Sequence, residues 1–434
     1  MFVCLVLAAA LLGGEHPALA RTDPHSNQHW VGTWATAVMA RPAAGQDQNG
    51  RPQNQAQSPL EFNNQTLRQI VHVSIGGEQL RVVFSNTFGT APLAIGAAHV
   101  ALRDKGADIV PRSDRALTFS GAATATIPPG AKLVSDPATL TVPDLADLVV
   151  DLYLPGDTAT TNSPVTMHAA AWQTNYVSPP GNYAGAVSLP VQATTGFNRG
   201  GLPSSTWFFV ARVEVMASDR AGAIVALGDS ITDGTQSGND TNNRWPDHLA
   251  RRLAQRNIRM GVLNVGIGGN RVLADGAGAN ALARIDRDVL SQPGATHVIV
   301  LEGINDIGQA RDKPSPTSAE IIAGHRQLIE FAHARGLKIY GATLTPFEGA
   351  NYRTPQGEAK RQAVNQWIRT SGMYDAVIDF DAAIRDPDRP TKQLPQYDPG
   401  DHLHANADGY RAMANGIDLA LFSPAPSSTA ASIR

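Results

Sequence analysis

The spacing of apolar residues changes near residue 219 of the chain. Over residues 30 to about 215 they fall in short runs broken by Gly, Pro, Asn and Asp. The runs include LRQIVHVSI (67–75), EQLRVVFSN (78–86), APLAIGAAHVAL from Ala91, ALTFSG from Ala116, KLVSD from Lys132, DLVVDLYLP from Asp147 and STWFFVARVEV from Ser205. Short, β-branched runs with this punctuation predict strands, and their number predicts an all-β sandwich or jelly-roll-like domain over 30–217. Gly76-Gly77 stands between the first two runs and predicts a two-residue hairpin. The stretch 43–58, rich in Gln, Asn and Gly, reads as a long surface loop.

After Ala217-Ser218-Asp219, continuous apolar runs alternate with amphipathic ones. AIVALGDS (223–230), GVLNVG (261–266), HVIVLEG (297–303), KIYGATLTP (338–346) and AVIDF (376–380) have the length and composition of buried strands. Between them, WPDHLARRLAQR carries Pro246 in its first turn. SAEIIAGHRQLIEFAHARG sets Ile321, Leu328, Phe331 and Ala332 at helical spacing before a Gly stop. Five strands alternating with helices predict an α/β fold with a doubly wound parallel sheet over 220–422. A closing helix is expected over about 405–421, followed by a disordered tail at 423–434.

The amino terminus belongs to neither pattern. FVCLVLAAALL (2–12) has the length of a signal-peptide core, and Ala18-Leu19-Ala20 suits cleavage before Arg21, although no Lys or Arg precedes the run. Residues 1–20 are therefore expected to be an export signal, which makes the protein secreted or periplasmic, with no stable membrane anchor. The only cysteine, Cys4, lies within that segment, so the mature chain would fold by burial without disulfides. A net charge of −3 with 17% charged residues offers neither a nucleic-acid footprint nor a polybasic membrane segment.

Four motifs fall at points where chemistry is expected. Ligands bind at the carboxyl ends of the strands in such a sheet, and GDSITDG from Gly228, NVGIGGN from Asn264 and GIND from Gly303 end the first three. Ser230 stands where the chain must turn, its hydroxyl able to face a cleft. Gly266, Gly268 and Gly269 let backbone N–H groups point inward. A dinucleotide loop is disfavoured because Arg271 fills the third glycine position of G-x-G-x-x-G. Asn305 can aim a neutral amide at the same space, to stabilise charge on a carbonyl oxygen. In DHLH, Asp401 precedes His404 by three residues, so the carboxylate can hold Nδ1–H and leave Nε2 free for the Ser230 proton. A zinc site from Asp398, Asp401, His402 and His404 is the competing reading. Arg244, Asp233 and Glu302 stand near the motifs, either as supports or as ordinary ion pairs.

These four ordered blocks resemble the SGNH hydrolases, the GDSL esterases and lipases. The resemblance covers roughly residues 223–421 and implies a flavodoxin-like five-stranded sheet. It further implies Ser230 as nucleophile, Ser230, Gly269 and Asn305 as oxyanion donors, and Asp401 and His404 as the remaining triad members. Gly268 is an alternative source of the glycine N–H. Ile231 replaces the Leu of GDSL and Ile304 the frequent Thr of GTND. The nucleophile elbow of the α/β-hydrolases is absent, since Thr232 takes the place of its last Gly. The first half, with GTWATA and the paired runs at 67–86, resembles the β-rich region of secreted two-domain GDSL proteins.

The expected activity is hydrolysis of carboxylic esters through an acyl-enzyme, without metal or organic cofactor. Short acyl chains are favoured, acetyl groups on polysaccharide or glycoside among them, and activity should fall on acidification as His404 protonates. A lipase for longer chains, or a secreted glycan-binding protein without chemistry, is the alternative. Trp172, Tyr176, Tyr183 and Trp207 are candidates either for sugar stacking or for the core of the β-rich half.

Overall fold

The computed structural model describes residues 28–40, 61–158, 165–194, 196–199, 202–309 and 315–422. The export signal, the 43–58 loop and the 423–434 tail expected from the sequence lie outside them.

The first half is antiparallel. Its larger sheets are built from β1 (Gln28–Ala35), β2 (Gln65–His72), β3 (Gly77–Ser85), β4 (Ala97–Leu102), β5 (Ala138–Val142), β6 (Asp147–Leu154), β7 (Tyr176–Pro180) and β8 (Val210–Ser218). One sheet runs β1-β8-β3-β5, and the other is centred on β7-β2-β6-β4. In the second, Arg68 and Asp151 are opposite one another on β2 and β6 and form a buried ion pair at 2.7 Å.

The expected hairpin at Gly76-Gly77 does not form. β2 and β3 belong to different sheets, and residues 73–76 carry the chain from one to the other, Gly77 being the first residue of β3. Neither glycine has a positive φ. Gly76 is required by proximity, because a Cβ there would come within 1.9 Å of the Val142 carbonyl oxygen. The neighbours decide the outcome: β2 pairs with β6 and β7, and β3 with β5 and β8, so neither offers an edge to the other.

The second half contains β9 (Gly222–Gly228), β10 (Met260–Gly266), β11 (Ala295–Leu301), β12 (Lys338–Ala342) and β13 (Ala376–Ile378). They form a parallel sheet in the order β10-β9-β11-β12-β13. This is the doubly wound 2-1-3-4-5 arrangement, whose direction of winding reverses beside the first strand. The helices used below are α1 (Ser230–Asp233), α2 (Trp245–Gln255), α3 (Ser318–His333), α4 (Pro355–Thr370) and α5 (Ala407–Asn415). At α3, Thr317 accepts the Glu320 N–H in a capping box. Ile321, Leu328 and Ala332 on this helix are buried, but Phe331 is 41% exposed, so the apolar stripe is narrower than its spacing suggested. The closing helix is also shorter than expected. Asn406 caps α5, Gly416 ends it, and Leu419–Phe422 form a separate 3₁₀ turn.

The two halves share a continuous apolar core that includes Val31 and Trp34 from β1 and Leu263 and Val265 from β10. Polar contacts reinforce the junction. The Val262 N–H donates to Ser74 Oγ at 2.9 Å, and the Gly32 N–H donates to the Pro293 carbonyl at 3.0 Å. Arg259 pairs with Asp144 at 2.6 Å and also donates to the Gly76 carbonyl. Among the described residues no helix is long and apolar enough to cross a membrane.

Candidate active site

Strand β9 delivers the chain to Asp229, which caps α1 by accepting the Ile231 N–H at 2.9 Å. Ser230 thus becomes the first residue of a one-turn helix that ends at Gly234, where φ is 104°. Its hydroxyl meets His404: Ser230 Oγ and His404 Nε2 are 2.8 Å apart. His404 Nδ1 lies 2.7 Å from Asp401 Oδ2, and Asp401 Oδ1 accepts the N–H groups of Leu403 and His404, each at 3.0 Å. The carboxylate therefore holds the imidazole with a proton on Nδ1, which leaves the Nε2 lone pair directed at the serine. Burial alone would raise the Asp401 pKa, but hydrogen bonds and charge from His404 outweigh it, and the carboxyl lies well below its ordinary value. Asp401 accordingly stays ionised.

The oxyanion side comes from two further strand ends. Near the end of β10, Asn264 Nδ2 donates to the Thr232 carbonyl at 2.7 Å, which ties α1 to this strand. Gly266 lies under α1, where a Cβ would come within 2.4 Å of the Asp233 backbone nitrogen. The Gly268 N–H donates to Asp233 Oδ2 at 3.1 Å. Gly269, with φ at 84°, uses its N–H in no hydrogen bond among the described residues, so it is the glycine with a donor to offer. After β11, Asn305 donates one amide hydrogen to the Asn270 carbonyl at 3.0 Å. Gln309 Nε2 at 2.8 Å and the Tyr352 hydroxyl at 3.4 Å both donate to Asn305 Oδ1, which fixes the amide orientation.

Several of these supports are not legible in the sequence. Arg284, fully buried, donates to the Gly228 and Val265 carbonyls and to Asn270 Oδ1. It clamps the ends of β9 and β10 together from 14 residues beyond the nearest motif residue, Asn270. Gln309 lies one helical turn after Asn305, a spacing visible in the sequence. Tyr352 and Arg284 have no such signal.

Arg284 pairs with the buried Asp288 at 3.3 Å, and further buried acids lie under the site. Burial pushes the Asp229 carboxyl up to about 7, helped by the charges of Asp306 and Asp233, and pushes Asp306 up to about 6. Glu302 rises well above its ordinary value through burial and the Asp229 charge; neither of its oxygens has a hydrogen-bond partner among the described residues, and Arg284 is 4.0 Å away. Of the other flanking residues, Asp233 meets His168 at 3.0 Å. Arg244 precedes α2, where its N–H donates to Asp247 Oδ2 at 3.0 Å, and its guanidinium donates to the Ala171 carbonyl.

The competing metal set separates into two couples, Asp398 with His402 and Asp401 with His404. Among the described residues no three His, Cys, Asp or Glu side chains are placed to hold a metal ion. Trp172 and Trp207 are buried, and Trp207 packs edge-on to Trp34 while donating its Nε1–H to the Ile70 carbonyl. Both are core residues. Tyr176 and Tyr183 are half-buried.

Residues 226–412 match the GDSL-like Lipase/Acylhydrolase family. No curated protein matches the chain. Among solved structures, the chain is similar to an acetylxylan esterase from Geobacillus stearothermophilus, at 22% identity over 47% of this chain and 95% of the other, with a TM-score of 0.36. It is also similar to a GDSL-like lipase from Bacteroides thetaiotaomicron, at 18% identity over 44% and 84% of the two chains, with a TM-score of 0.34. A carbohydrate acetylesterase family member from Sinorhizobium meliloti shares 16% identity over 46% and 97%, with a TM-score of 0.37.

Proposed function

We propose that this chain, whose residues 226–412 match the GDSL-like Lipase/Acylhydrolase family, is an exported serine esterase for short-chain carboxylic esters. The observation that carries the chemistry is the line Ser230 Oγ, His404 Nε2, His404 Nδ1, Asp401 Oδ2, with contacts of 2.8 and 2.7 Å. In this reading His404 takes the Ser230 proton as Oγ attacks the ester carbonyl. The N–H groups of Ser230 and Gly269 and the Asn305 amide stabilise the oxygen that becomes negative. As the tetrahedral species collapses, the carbonyl–alkoxy bond breaks and His404 gives its proton to the leaving alcohol. Water then repeats the sequence on the acyl-enzyme, releasing the acid and free Ser230.

The preference for short acyl groups is supported by the surface around the site. The exposed large apolar residues of the described chain are Val134, Val187, Val191, Phe331 and Val377. None belongs to the segments 228–234, 264–270, 303–309 or 401–404 that carry the site. An enzyme working at a lipid surface presents a contiguous apolar patch there. Export rests on the apolar run at 2–12 and the small-residue site before Arg21.

The test is the initial rate on p-nitrophenyl acetate, butyrate and octanoate, for the wild type and for Ser230→Ala. Turnover that is fastest on acetate and lost in the variant is expected. Equal rates in both proteins would remove Ser230 as nucleophile, and a maximum at octanoate would overturn the short-chain assignment. Sequencing the amino terminus of protein from the culture medium tests export, with Arg21 expected as the first residue.

A further inference from the structure

The β-rich half contributes a buried histidine to the oxyanion side of the site. His168 sits on a short strand, Thr166–His168, and only 2% of it is exposed. Its Nδ1 lies 2.8 Å from the Ala37 carbonyl oxygen, and its Nε2 lies 3.0 Å from Asp233 Oδ1. The other oxygen of Asp233 accepts the Gly268 N–H. A chain of hydrogen bonds therefore runs from the core of the first half, through His168 and Asp233, to the glycine loop after β10. We propose that His168 is a positioning residue for the oxyanion hole. By holding Asp233 it fixes the Gly268 peptide, so that the next N–H, that of Gly269, stays directed at the reacting carbonyl. This inference rests on the serine-esterase reading of the site given above.

The hydrogen-bond roles define the contact. The Ala37 carbonyl can only accept, so Nδ1 carries a hydrogen; the Gly268 N–H can only donate, so Asp233 Oδ2 accepts. One further hydrogen must lie between Nε2 and Oδ1, because otherwise two lone pairs would face each other in a buried site.

The segment after His168 is fastened to the same region. Asp240 accepts from the Thr174 N–H, the Thr174 hydroxyl and Gln173 Nε2, each at 2.6 Å, while its own N–H donates to the Trp172 carbonyl at 3.0 Å. Ala170 and Trp172 hold positive φ of 63° and 50°. Such backbone is costly for residues other than glycine and persists only where the surroundings over-determine it. The first half thus reaches the loop between α1 and α2 through a constrained segment, with His168 at its head.

The experiment compares kcat and KM on p-nitrophenyl acetate for the wild type, His168→Phe, Asp233→Ala and Asp233→Asn, each assayed below its own melting temperature. Phenylalanine keeps the ring volume and removes both hydrogen bonds. Asparagine can accept from Gly268 and donate to the lone pair of a neutral His168, so it preserves the brace without the charge. His168→Phe and Asp233→Ala are expected to lower kcat about 10- to 100-fold, as for a reacting geometry displaced by a fraction of an ångström to 1 Å, with KM within about threefold. Asp233→Asn should stay within about threefold of wild type. The apparent affinity for a boronic acid, which forms a tetrahedral adduct on Ser230, should fall by the same factor as kcat, because that adduct uses the hole. Unchanged kcat in His168→Phe, a rise in KM alone, or an Asp233→Asn loss equal to that of Asp233→Ala would overturn the proposal. Failure of the underlying reading is a different result: Ser230→Ala would then keep wild-type turnover.

Discussion

Helix α1 is one turn long and meets a carboxylate–imidazole pair at each end. At its first residue Ser230 meets His404, held by Asp401; at its last, Asp233 meets His168. The pairs share chemistry but differ in environment. The His404 side chain is 14% exposed and Asp401 34%, so the imidazole can exchange protons with substrate and water. His168 and Asp233 are 2% and 5% exposed, between a carbonyl and a peptide N–H. Exposure distinguishes a pair open to substrate and water from one enclosed by protein. A third couple, Asp398 with the half-exposed His402, contacts neither end of α1 in any hydrogen bond of the described residues.

This contrast is most sharply tested at the exposed pair. Ser230→Ala and His404→Ala should each lower kcat roughly 10⁴- to 10⁶-fold, measured as initial ester hydrolysis. A loss under tenfold at His404 would place proton transfer elsewhere. Next in size is Asn305→Ala, expected to lower kcat roughly 10²- to 10³-fold, about 3 kcal/mol in the transition state, with KM little changed. If KM rose instead while kcat held, Asn305 would bind substrate rather than the oxyanion.

A smaller effect concerns stability under the site. Asp229 is raised in the fold to about 7 from 3.8, so the folded state binds its proton more tightly than the unfolded state. Its contribution is fully present below about pH 4 and is lost as pH rises toward 7. Asp229→Asn keeps an oxygen for the Ile231 N–H but has no charge to bury. The gap in melting temperature, variant minus wild type, should widen from pH 4 to pH 7 and level off above that. A gap independent of pH would mean that Asp229 is not held neutral by burial. Smallest of all, His402→Ala should change kcat/KM less than about threefold, since an exposed ion pair contributes little. A larger loss would show His402 in contact with substrate and end its separation from the Asp401–His404 couple.

Much of the candidate site could be read from the chain because its parts are local. GDSI, NVGIGGN and GIND each end a strand whose apolar run marks it, and Asp401 and His404 are three residues apart, so their contact needs only one turn of backbone. The choice between Gly268 and Gly269 could not be made there. It depends on Asp233, 35 residues away in sequence, taking up the Gly268 N–H. Arg284, Tyr352 and His168 escaped notice for the same reason, as each acts on the site across a separation that no sequence period records. The wrong hairpin at Gly76-Gly77 and the overlong last helix are milder cases, in which the local signal was genuine but its partner was elsewhere.

The sequence by itself determined most of the longer strands and helices, though not the strand Tyr176–Pro180, as well as the parallel character of the second half and the residues that end its strands. These follow from side-chain period and turn chemistry, which act over a few residues. Tertiary structure alone decided which sheet β2 and β3 join, how the two halves share a core, and that His168 meets Asp233. Those contacts depend on burying complementary surfaces from distant parts of the chain, and a buried polar group there is stable only where a partner is brought to it.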